Sequence, residues 1–321
     1  MRGAEEPWKS VPIVADAAAP SPGGVDVVVV SYNSAGELRD AVAPLAGVSG
    51  INVIVVDNAS RDDSLERVAD LPVASIARET NDGFSAGCNA GWRVGRGRHV
   101  CFLNPDAALD PRGVAGLAST LDDDPGVGAV APRIEEADGC LAWSLRRAPR
   151  VRSTFARALF LHRLLPRATW TDDVVRDPTA YTRPWSPDWV SGACIVVRRE
   201  ALESVGGWDE GFFLYGEDAD LCARLRAAGW AIRFEPSVTA RHLGGRSAPR
   251  ASLLPVLAQS RLRYAHKHRS RAGRAAIRLG LGLEAITHAI VGRRGTRRWR
   301  LASLGAVVGL DSGRGAENRR R

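Results

Sequence analysis

Residues 25–33 read VDVVVVSYN and follow the chain breaker Pro22-Gly23-Gly24. Four consecutive valines favour a strand that is buried on both faces, as in the parallel sheets of α/β proteins. Residues 51–58, INVIVVDN, repeat the pattern of a β-branched run closed by polar residues. Helical segments separate these runs from two more predicted strands, at residues 73–77 and 99–103. The alternation predicts an α/β fold with a mostly parallel central sheet wound in right-handed crossovers.

The regular alternation stops between about residues 139 and 187, where the chain is rich in Arg, Pro and Trp. We interpret this stretch as a lid-like insertion rather than a separate domain. Regular structure is predicted again as a strand at 189–198, a helix at 217–228 and a strand at 230–234. Residues 1–24 have no apolar core and are predicted to be disordered. A single domain then spans residues 25–247, and residues 248–321 are predicted to form a basic, amphipathic helical appendage.

The composition, 45% hydrophobic and 25% charged over 321 residues, is that of a globular protein and excludes a fibrous or mostly disordered chain. The longest uncharged stretch, residues 41–56, is shorter than the roughly 20 apolar residues of a membrane span. Acidic residues near the start (Glu5, Glu6 and Asp16) argue against a secretory signal. Five cysteines without a Cys-x-x-Cys pair argue against a disulfide scaffold or a zinc site. We therefore expect a protein of the reducing cytoplasm.

Positive charge is concentrated at the C-terminal end of the chain. Residues 1–240 contain 25 basic and 33 acidic residues, whereas residues 241–321 contain 19 basic and only 3 acidic residues. Apolar residues recur there with helical spacing, and residues 301–310 carry no charge. These features predict an anionic membrane surface as a partner of the appendage. The alternative is that its helices pack on the rest of the protein with a solvated basic face. The apolar residues in question are Leu253, Leu254, Leu257, Ile277, Leu281, Ile286 and Ile290.

Polar residues follow each of the first four predicted strands. Open α/β sheets bind their ligands at the carboxyl ends of the strands, although residues of these types also form ordinary turns. No Gly-x-Gly-x-x-Gly or Gly-Lys-Ser/Thr loop follows the first strand, so a bound diphosphate would need another source of positive charge. A divalent cation held by Asp106 is a good candidate. The four polar ends are Ser31-Tyr32-Asn33, Asp57-Asn58, residues 78–81 and Asn104-Pro105-Asp106.

A second acidic site begins the predicted helix at residue 217, after an aromatic, glycine-containing approach at residues 206–216. Acidic residues in the first turn of a helix often do no more than complement its dipole, and this explanation suits Asp220. Asp218 fits it less well, and a carboxylate at this position can accept a proton from an attacking hydroxyl. His242 follows the last predicted strand and is either structural or a further metal ligand.

Five ordered segments resemble family 2 glycosyltransferases, and most closely the rhamnosyltransferase-like branch that builds bacterial cell-surface polysaccharides. The resemblance covers about residues 25–247. It implies a GT-A fold, a nucleotide-sugar donor, a divalent cation (Mg²⁺ or Mn²⁺) and inversion at the anomeric carbon. It also implies an acceptor glycan linked to a polyprenyl carrier, at the cytoplasmic face of the plasma membrane. The segments are residues 27–33, 53–64, 81–91, 102–107 and 189–229.

The resemblance assigns roles to individual residues. Asp57 would accept a hydrogen bond from the pyrimidine ring, Asp106 would bind the metal, and His242 would contact the metal or the diphosphate. Asn104 stands where many members have the first Asp of an Asp-x-Asp motif, although Asn is common in this branch. Asp218 would be the catalytic base, assisted by Glu217. The remaining donor-binding residues are Ser31, Asn33, Asn58, Asn81 and Gly83, and Trp208 and Trp189 would frame the acceptor, on the side where the insertion lies.

Two other classes of protein are weaker candidates. A sugar-phosphate nucleotidyltransferase has a similar sheet but needs a glycine-rich basic loop after the first strand, and Ser31-Tyr32-Asn33-Ser34 is not one. A nucleic-acid-binding protein would interleave basic groups with stacking aromatics, and the appendage offers only Tyr264 and Trp299. We therefore expect an enzyme that acts on a nucleotide-sugar and does not bind nucleic acid.

Overall fold

The computed structural model describes residues 24–242, 251–291 and 294–309. The segment predicted to be disordered lies outside the described residues except for Gly24, as do residues 243–247 at the end of the predicted domain. The strands are β1 (Val25–Ser31), β2 (Ile51–Asp57), β3 (Ala74–Ala77), β4 (His99–Leu103), β5 (Ala107–Ala108), β6 (Val127–Glu136), β7 (Leu145–Arg146), β8 (Trp189–Val190), β9 (Cys194–Arg198) and β10 (Ala231–His242). The α-helices are α1 (Leu38–Val42), α2 (Phe84–Val94), α3 (Pro111–Asp123), α4 (Val151–Ala158), α5 (Leu161–Leu164), α6 (Arg199–Ser204), α7 (Glu217–Ala227), α8 (Leu254–His268), α9 (Arg271–Val291) and α10 (Arg297–Val308).

Eight of the described strands form one sheet, in the order β3-β2-β1-β4-β9-β6-β10-β5. Strands β3, β2, β1 and β4 are parallel neighbours, and β10 runs parallel to β6. Strand β9 is antiparallel to both β4 and β6, and β5 is antiparallel to β10. This topology confirms the predicted α/β fold with a mostly parallel central sheet.

The continuous strand predicted at residues 189–198 is wrong. The chain instead makes a two-residue ribbon between β8 and β7, turns at residues 191–193, and enters the main sheet as β9. The turn carries the chain past the end of β4, where the Ala193 carbonyl accepts a 2.9 Å hydrogen bond from the backbone N–H of Asn104. The break therefore lies beside the carboxyl edge of the parallel strands.

Alternate residues of the first strand serve two separate cores. Val28 and Val30 belong to the cluster that also contains residues of α2, α6 and α7. Val27 and Val29 point to the other face, where α1 and α3 cover them. Both faces are thus buried, as the valine run predicts.

One buried carboxylate lies inside this apolar sheet. Asp26 is fully buried, and its carboxylate accepts hydrogen bonds from the Arg199 guanidinium at 2.6 Å, the Asn52 amide at 2.8 Å and the Gly97 N–H at 2.7 Å. These partners come from β2, the turn before β4, and the start of α6. The ion pair therefore links four parts of the chain at the amino edge of the sheet.

The C-terminal helices pack against the insertion and the body of the protein. Helix α9 lies on α4, α10 lies on α9 and α8, and α8 contacts α7. Ile277 and Leu281, two of the regularly spaced apolar residues, are buried with Ala265 and Val307 in a core of their own. Within the described part of the chain, every helix is too short or too polar to cross a bilayer. The extents of the predicted domains remain predictions, although α8 is attached to the folded body.

Replacing Asp26 by Ala is expected to lower the free energy of unfolding by about 3–5 kcal/mol, because it leaves the Arg199 guanidinium largely buried without its charge partner. Urea denaturation followed by circular dichroism measures this change. Asp70→Ala is the matched control, since the Asp70–Arg39 pair is exposed and is expected to contribute little to stability. A similar loss in both variants would contradict the structural role of Asp26.

Candidate active site

The carboxyl ends of β1 and β2 bring the first pair of candidate residues together. Ser31 and Asp57 are register partners in the two parallel strands, and both are buried. The Ser31 hydroxyl has no hydrogen-bond partner in the protein, although it is fully buried. The Asp57 carboxylate accepts from the Ser60 N–H at 2.8 Å and the Ser60 hydroxyl at 2.5 Å. A buried hydroxyl without a hydrogen-bond partner in the protein therefore lies at the same strand ends as a carboxylate held at a fixed position.

Asn58 joins two loops at this edge. Its amide donates to the Gly83 carbonyl at 3.0 Å and accepts from the Arg78 guanidinium at 2.9 Å. Arg78 also pairs with Asp82 at 3.0 Å. Asn58 therefore holds in place the two segments that contain Arg78 and Gly83, next to Ser31 and Asp57. The sequence placed Arg78 in a polar stretch without assigning it a role, and only the contact with Asn58 identifies it.

Gly83 is required by a close approach of two backbones. Its φ is +97°, and a Cβ at this position would lie 2.3 Å from the Phe213 carbonyl oxygen. The Phe84 N–H donates to that same carbonyl at 2.8 Å. Gly83 thereby connects the start of α2 to the approach to α7.

Asn33 and Asn81 use their side chains within the neighbouring turns. Asn33 has φ +51° and accepts from the Arg61 N–H at 2.9 Å, while its own N–H donates to the Ser60 hydroxyl. Asn81 accepts from the Gly83 N–H at 3.0 Å. Both asparagines fix loops around the pocket, so their expected donor contacts remain predictions.

A second cluster forms where β4 ends and β10 returns to the edge. The His242 Nε2 lies 3.1 Å from an Asp106 carboxylate oxygen and 3.3 Å from the Asn104 amide. His242 thus contacts two residues that precede it by more than 130 positions in the sequence. The predicted trio of Asn104, Asp106 and His242 lies together in the structure.

This trio has suitable chemistry for a divalent cation, which binds carboxylate, amide and imidazole donors. Two donor atoms 3.1 Å apart, on Asp106 and His242, fit adjacent positions around one ion. Among the described residues, however, no group of three or more His, Cys, Asp or Glu side chains converges. The residues of the trio would therefore supply part of a coordination shell, and a bound ligand could complete it.

The carboxylates at the start of α7 lie at the same carboxyl edge of the sheet, on another side of the candidate site. Tyr215 (φ +69°) and Gly216 (φ +80°) turn the chain sharply into the helix. Asp218 then accepts from the Ala219 N–H at 2.8 Å and from the Gly192 N–H at 3.2 Å. Because Ala193 is bonded to Asn104, this contact places Asp218 one short turn away from the second cluster.

Asp218 and Glu217 have unequal environments. Burial raises the pKa of Asp218, and hydrogen bonds from Ala219 and Gly192 and the charge of Arg146 oppose that change. Burial, and then the Asp218 carboxylate, raise the pKa of Glu217 to about 8. One Glu217 carboxyl oxygen has no partner in the protein, and the group lies near the buried Cys88 thiol, whose pKa is raised by burial and then by Glu217. Asp218 therefore faces the site, whereas Glu217 lies inward, as a neutral carboxylic acid at pH 7.

Asp220 has a structural function. Its fully buried carboxylate contacts Arg224, Lys267 and His268, each at 2.7 Å. Burial would raise its pKa, but the hydrogen bonds from His268 and Lys267 and the charge of Arg224 lower it below the ordinary value. Asp209 pairs with Lys267 and Arg263, each at 2.6 Å. Asp220 thus attaches α8 to α7, beside the candidate base, and Asp209 attaches α8 to the loop before α7.

Arg146, on β7, is a further residue of the site, and the sequence showed it only as part of a basic pair. It is the Cα partner of Trp189, and its guanidinium lies 5.7 Å from the centre of that indole ring. Burial lowers the pKa of Arg146, and Asp218 is among the charges that counteract this effect. The Trp189 N–H donates to the Arg147 carbonyl at 2.9 Å, and the half-buried ring packs against the adjoining cores.

Trp208 was expected to contact the acceptor, but it is buried. Its indole is 2% exposed and packs edge-on against Phe102 and Phe84, with centroid distances of 5.0 and 5.7 Å. The tip of the ring lies behind Gly192, where an added Cβ would be 3.9 Å from it. Trp208 therefore supports the Asp218 side of the site from the core, where it is buried against Phe84 and Phe102.

Comparison with known proteins identifies relatives of this chain and of its fold. The N-acetylglucosaminyl-diphospho-decaprenol L-rhamnosyltransferase of Mycobacterium tuberculosis is 29% identical over 308 residues, which cover 88% of this chain and 97% of that protein. Among solved structures, the mannosyltransferase PcManGT from Pyrobaculum calidifontis, in complex with GDP-Man and Mn²⁺, has a TM-score of 0.53 at 20% identity and covers 97% of this chain and 83% of its own. GalNAc-T7 with UDP, GalNAc and Mn²⁺ has a TM-score of 0.57 at 13% identity and covers 93% and 58%.

At these identities the structural likeness concerns the fold alone, and it defines the GT-A fold of glycosyltransferases. The Glycosyl transferase family 2 profile matches residues 26–206, more than half of the chain. The protein therefore belongs to glycosyltransferase family 2, as its motifs indicate.

The raised pKa of Glu217 predicts a particular dependence of stability on pH. An unfolded Glu loses its proton near 4.5, whereas folded Glu217 keeps it up to about pH 8, so the free energy of unfolding falls as the pH rises through this interval. One linked proton corresponds to about 1.4 kcal/mol per pH unit. Glu217→Gln removes this linkage, so its melting temperature relative to wild type should increase between pH 5 and pH 8. A pH-independent difference would mean that Glu217 ionises normally.

Proposed function

We propose that the protein is an inverting, cation-dependent glycosyltransferase that moves L-rhamnose from dTDP-L-rhamnose, or a sugar from a UDP donor, to a hydroxyl of a polyprenyl-diphosphate-linked glycan. The mycobacterial relative, whose name specifies an L-rhamnosyltransferase acting on a diphospho-decaprenol carrier, supports this choice because the match extends over 88% of the chain. Such an enzyme would act in cell-envelope biosynthesis at the inner face of the plasma membrane.

The position of Asp218 is the observation that carries the proposal. Its carboxylate is fixed by the Gly192 N–H, and burial makes it a stronger base than an ordinary aspartate. A carboxylate so placed accepts the proton of the acceptor hydroxyl as that oxygen attacks the anomeric carbon. Because Glu217 is neutral at pH 7, it adds no second charge next to the base.

The carboxyl ends of β1, β2 and β4 offer groups that can bind the nucleotide-sugar donor. The Asp57 carboxylate and the Ser31 hydroxyl offer an acceptor and a donor to a pyrimidine ring and its ribose. Asp106, His242 and Asn104 lie beyond them, toward the position of the leaving diphosphate. A divalent cation bound to Asp106 and His242 would stabilise the negative charge that develops on the diphosphate as the sugar–phosphate bond breaks. With the donor bound in this way, the diphosphate and the base would lie on opposite sides of the anomeric carbon, as a single displacement with inversion requires.

Asp218→Asn is expected to lower the rate of sugar transfer about 10²–10⁴-fold while leaving donor binding nearly unchanged, because the amide cannot accept the proton. Transfer from radiolabelled nucleotide-sugars and donor binding by calorimetry measure the two effects. Asp63→Asn, which changes an exposed acid paired with Arg67, is the control. A rate within a few-fold of wild type would assign Asp218 to the helix terminus alone.

Asp106→Ala is expected to weaken nucleotide-sugar binding and to abolish its dependence on Mn²⁺ together, since the ion would join the carboxylate to the diphosphate. His242→Ala should give a milder form of the same change. Donor affinities are compared in Mn²⁺ and in EDTA for the wild type and both variants. If the wild type binds donor equally well in EDTA, the cation is not part of the site.

A further inference from the structure

Three basic residues of α8, which belong to the expected basic face of the appendage, are engaged in internal contacts. Arg263 and Lys267 of α8 pair with Asp209, Lys267 also reaches Asp220, and Arg261 pairs with Glu284 of α9 at 2.7 Å. Burial would raise the pKa of Glu284, but the charges of Arg261 and Arg157 lower it to about 2, as expected for a strongly paired carboxylate. Helix α8 therefore uses its charges to attach itself to the protein, and a surface for an external partner must lie elsewhere.

An exposed apolar row lies on α9. Leu279 and Ile290 are 68% and 74% exposed, and Ile286 between them is also exposed. With the half-buried Leu283 they are spaced by four, three and four residues, so they lie along one side of the helix. The opposite side of α9, with Ile277, Leu281 and Glu284, is buried. We call Leu279, Leu283, Ile286 and Ile290 the α9 stripe.

A second exposed apolar surface lies at the tip of the insertion, residues 159–170. Its exposed apolar residues flank a shallow concavity of about 510 Å³, lined by Leu164, Leu165, Pro166, Arg167 and Ala168. Leu164 is 74% exposed, the same fraction as Ile290. The exposed large apolar residues of this insertion tip are Leu159, Leu164, Leu165 and Trp170.

Contacts between α4 and α9 make the two surfaces neighbours. The Thr287 hydroxyl donates to the Ala158 carbonyl at 2.7 Å, and the His288 Nε2 lies 3.0 Å from the Arg157 carbonyl oxygen. The His288 ring stacks on Phe160 of the insertion tip, with ring centres 4.2 Å apart. The insertion tip therefore begins beside the last turns of α9, where Ile286 and Ile290 are exposed.

The exposed charged side chains of the insertion tip are arginines, and the nearby Asp172 is buried and paired with Arg157 and Arg176. Residues 151–171 contain no acidic residue, and Arg163 and Arg167 are exposed at the insertion tip. Arg163 also lies over the Phe160 ring, 4.9 Å from its centre. In residues 251–291 and 294–309 the one acidic residue is Glu284, which is buried in its ion pairs. An exposed apolar surface with an arginine rim and a tryptophan at its edge matches the interface of an anionic bilayer.

We propose that the insertion tip and the α9 stripe together dock the protein on an anionic membrane surface, with apolar side chains entering the interface and Arg163 and Arg167 contacting lipid phosphates. A second copy of the chain fits less well, because a symmetric contact through the insertion tip would bring like-charged arginines together. The proposal concerns a surface separate from Asp218 and Asp57, so it does not depend on the transferred sugar.

Vesicle flotation of the full-length protein tests the proposal, with phosphatidylcholine vesicles that contain or lack phosphatidylglycerol. We expect binding only with phosphatidylglycerol, and release at high salt. Arg163→Gln with Arg167→Gln should weaken binding about fivefold per charge. Leu164→Gln with Ile290→Gln should weaken it at every salt concentration. Arg96→Gln with Arg112→Gln, which removes two exposed arginines elsewhere, is the matched control and should weaken binding much less.

A fluorescent label then locates the contact. In a Cys140→Ser background, which removes the exposed cysteine of the described chain, an environment-sensitive dye is attached at Leu164→Cys or at Ala115→Cys on α3, across the sheet. Vesicles should shift the emission to the blue only at position 164. Absence of vesicle binding, equal binding by all variants, or a shift at 115 alone would overturn the proposal. So would a dimer in solution that Ile290→Gln dissociates.

Donor hydrolysis without vesicles should be unchanged in the docking variants. This control distinguishes a failure of the membrane proposal from a failure of the proposed function.

Discussion

The site depends on one constraint, which is that a strand buried on both faces can carry a polar side chain in its interior only if that group is fully paired, as Asp26 is, so polar groups free to meet a ligand collect where the strand ends. The valines of β1 and β2 fill two cores, so their polar groups collect at Ser31 and Asp57. The turn at residues 191–193 adds the other half of the site, because it bonds to Asn104 on one side and to Asp218 on the other. A single backbone segment thereby fixes the distance between the proposed donor and base regions.

The C-terminal helices belong to the catalytic architecture as well as to the surface. Asp209 and Asp220 lie on either side of Glu217 and Asp218 in sequence, and both are ion-paired with α8. The start of α7 is thus held from behind by a helix that the sequence suggested was a separable appendage. Removing the chain beyond residue 247 would therefore disturb the proposed base, and individual surface substitutions are the better probe of the membrane surface.

The fold and much of the candidate site were predictable from local patterns. Valine runs identified the parallel strands, and the polar residues after them identified Asp57, Asn104 and Asp106. The strand predicted at 189–198 failed because its apolar composition does not reveal the turn at Gly192. Arg78 and Arg146 were not found because each acts through residues distant in sequence, namely Asn58 and Trp189.

The sequence by itself determined that acidic residues begin α7, but the tertiary structure decided what each one does. Successive residues of a helix point about 100° apart, so neighbours in sequence enter different surroundings. Glu217 turns toward Cys88 and remains protonated, Asp218 meets the Gly192 N–H at the site, and Asp220 meets the cations of α8. Three carboxylates within four residues thus acquire three different environments, because burial and partner charge are set by the elements that pack around the helix.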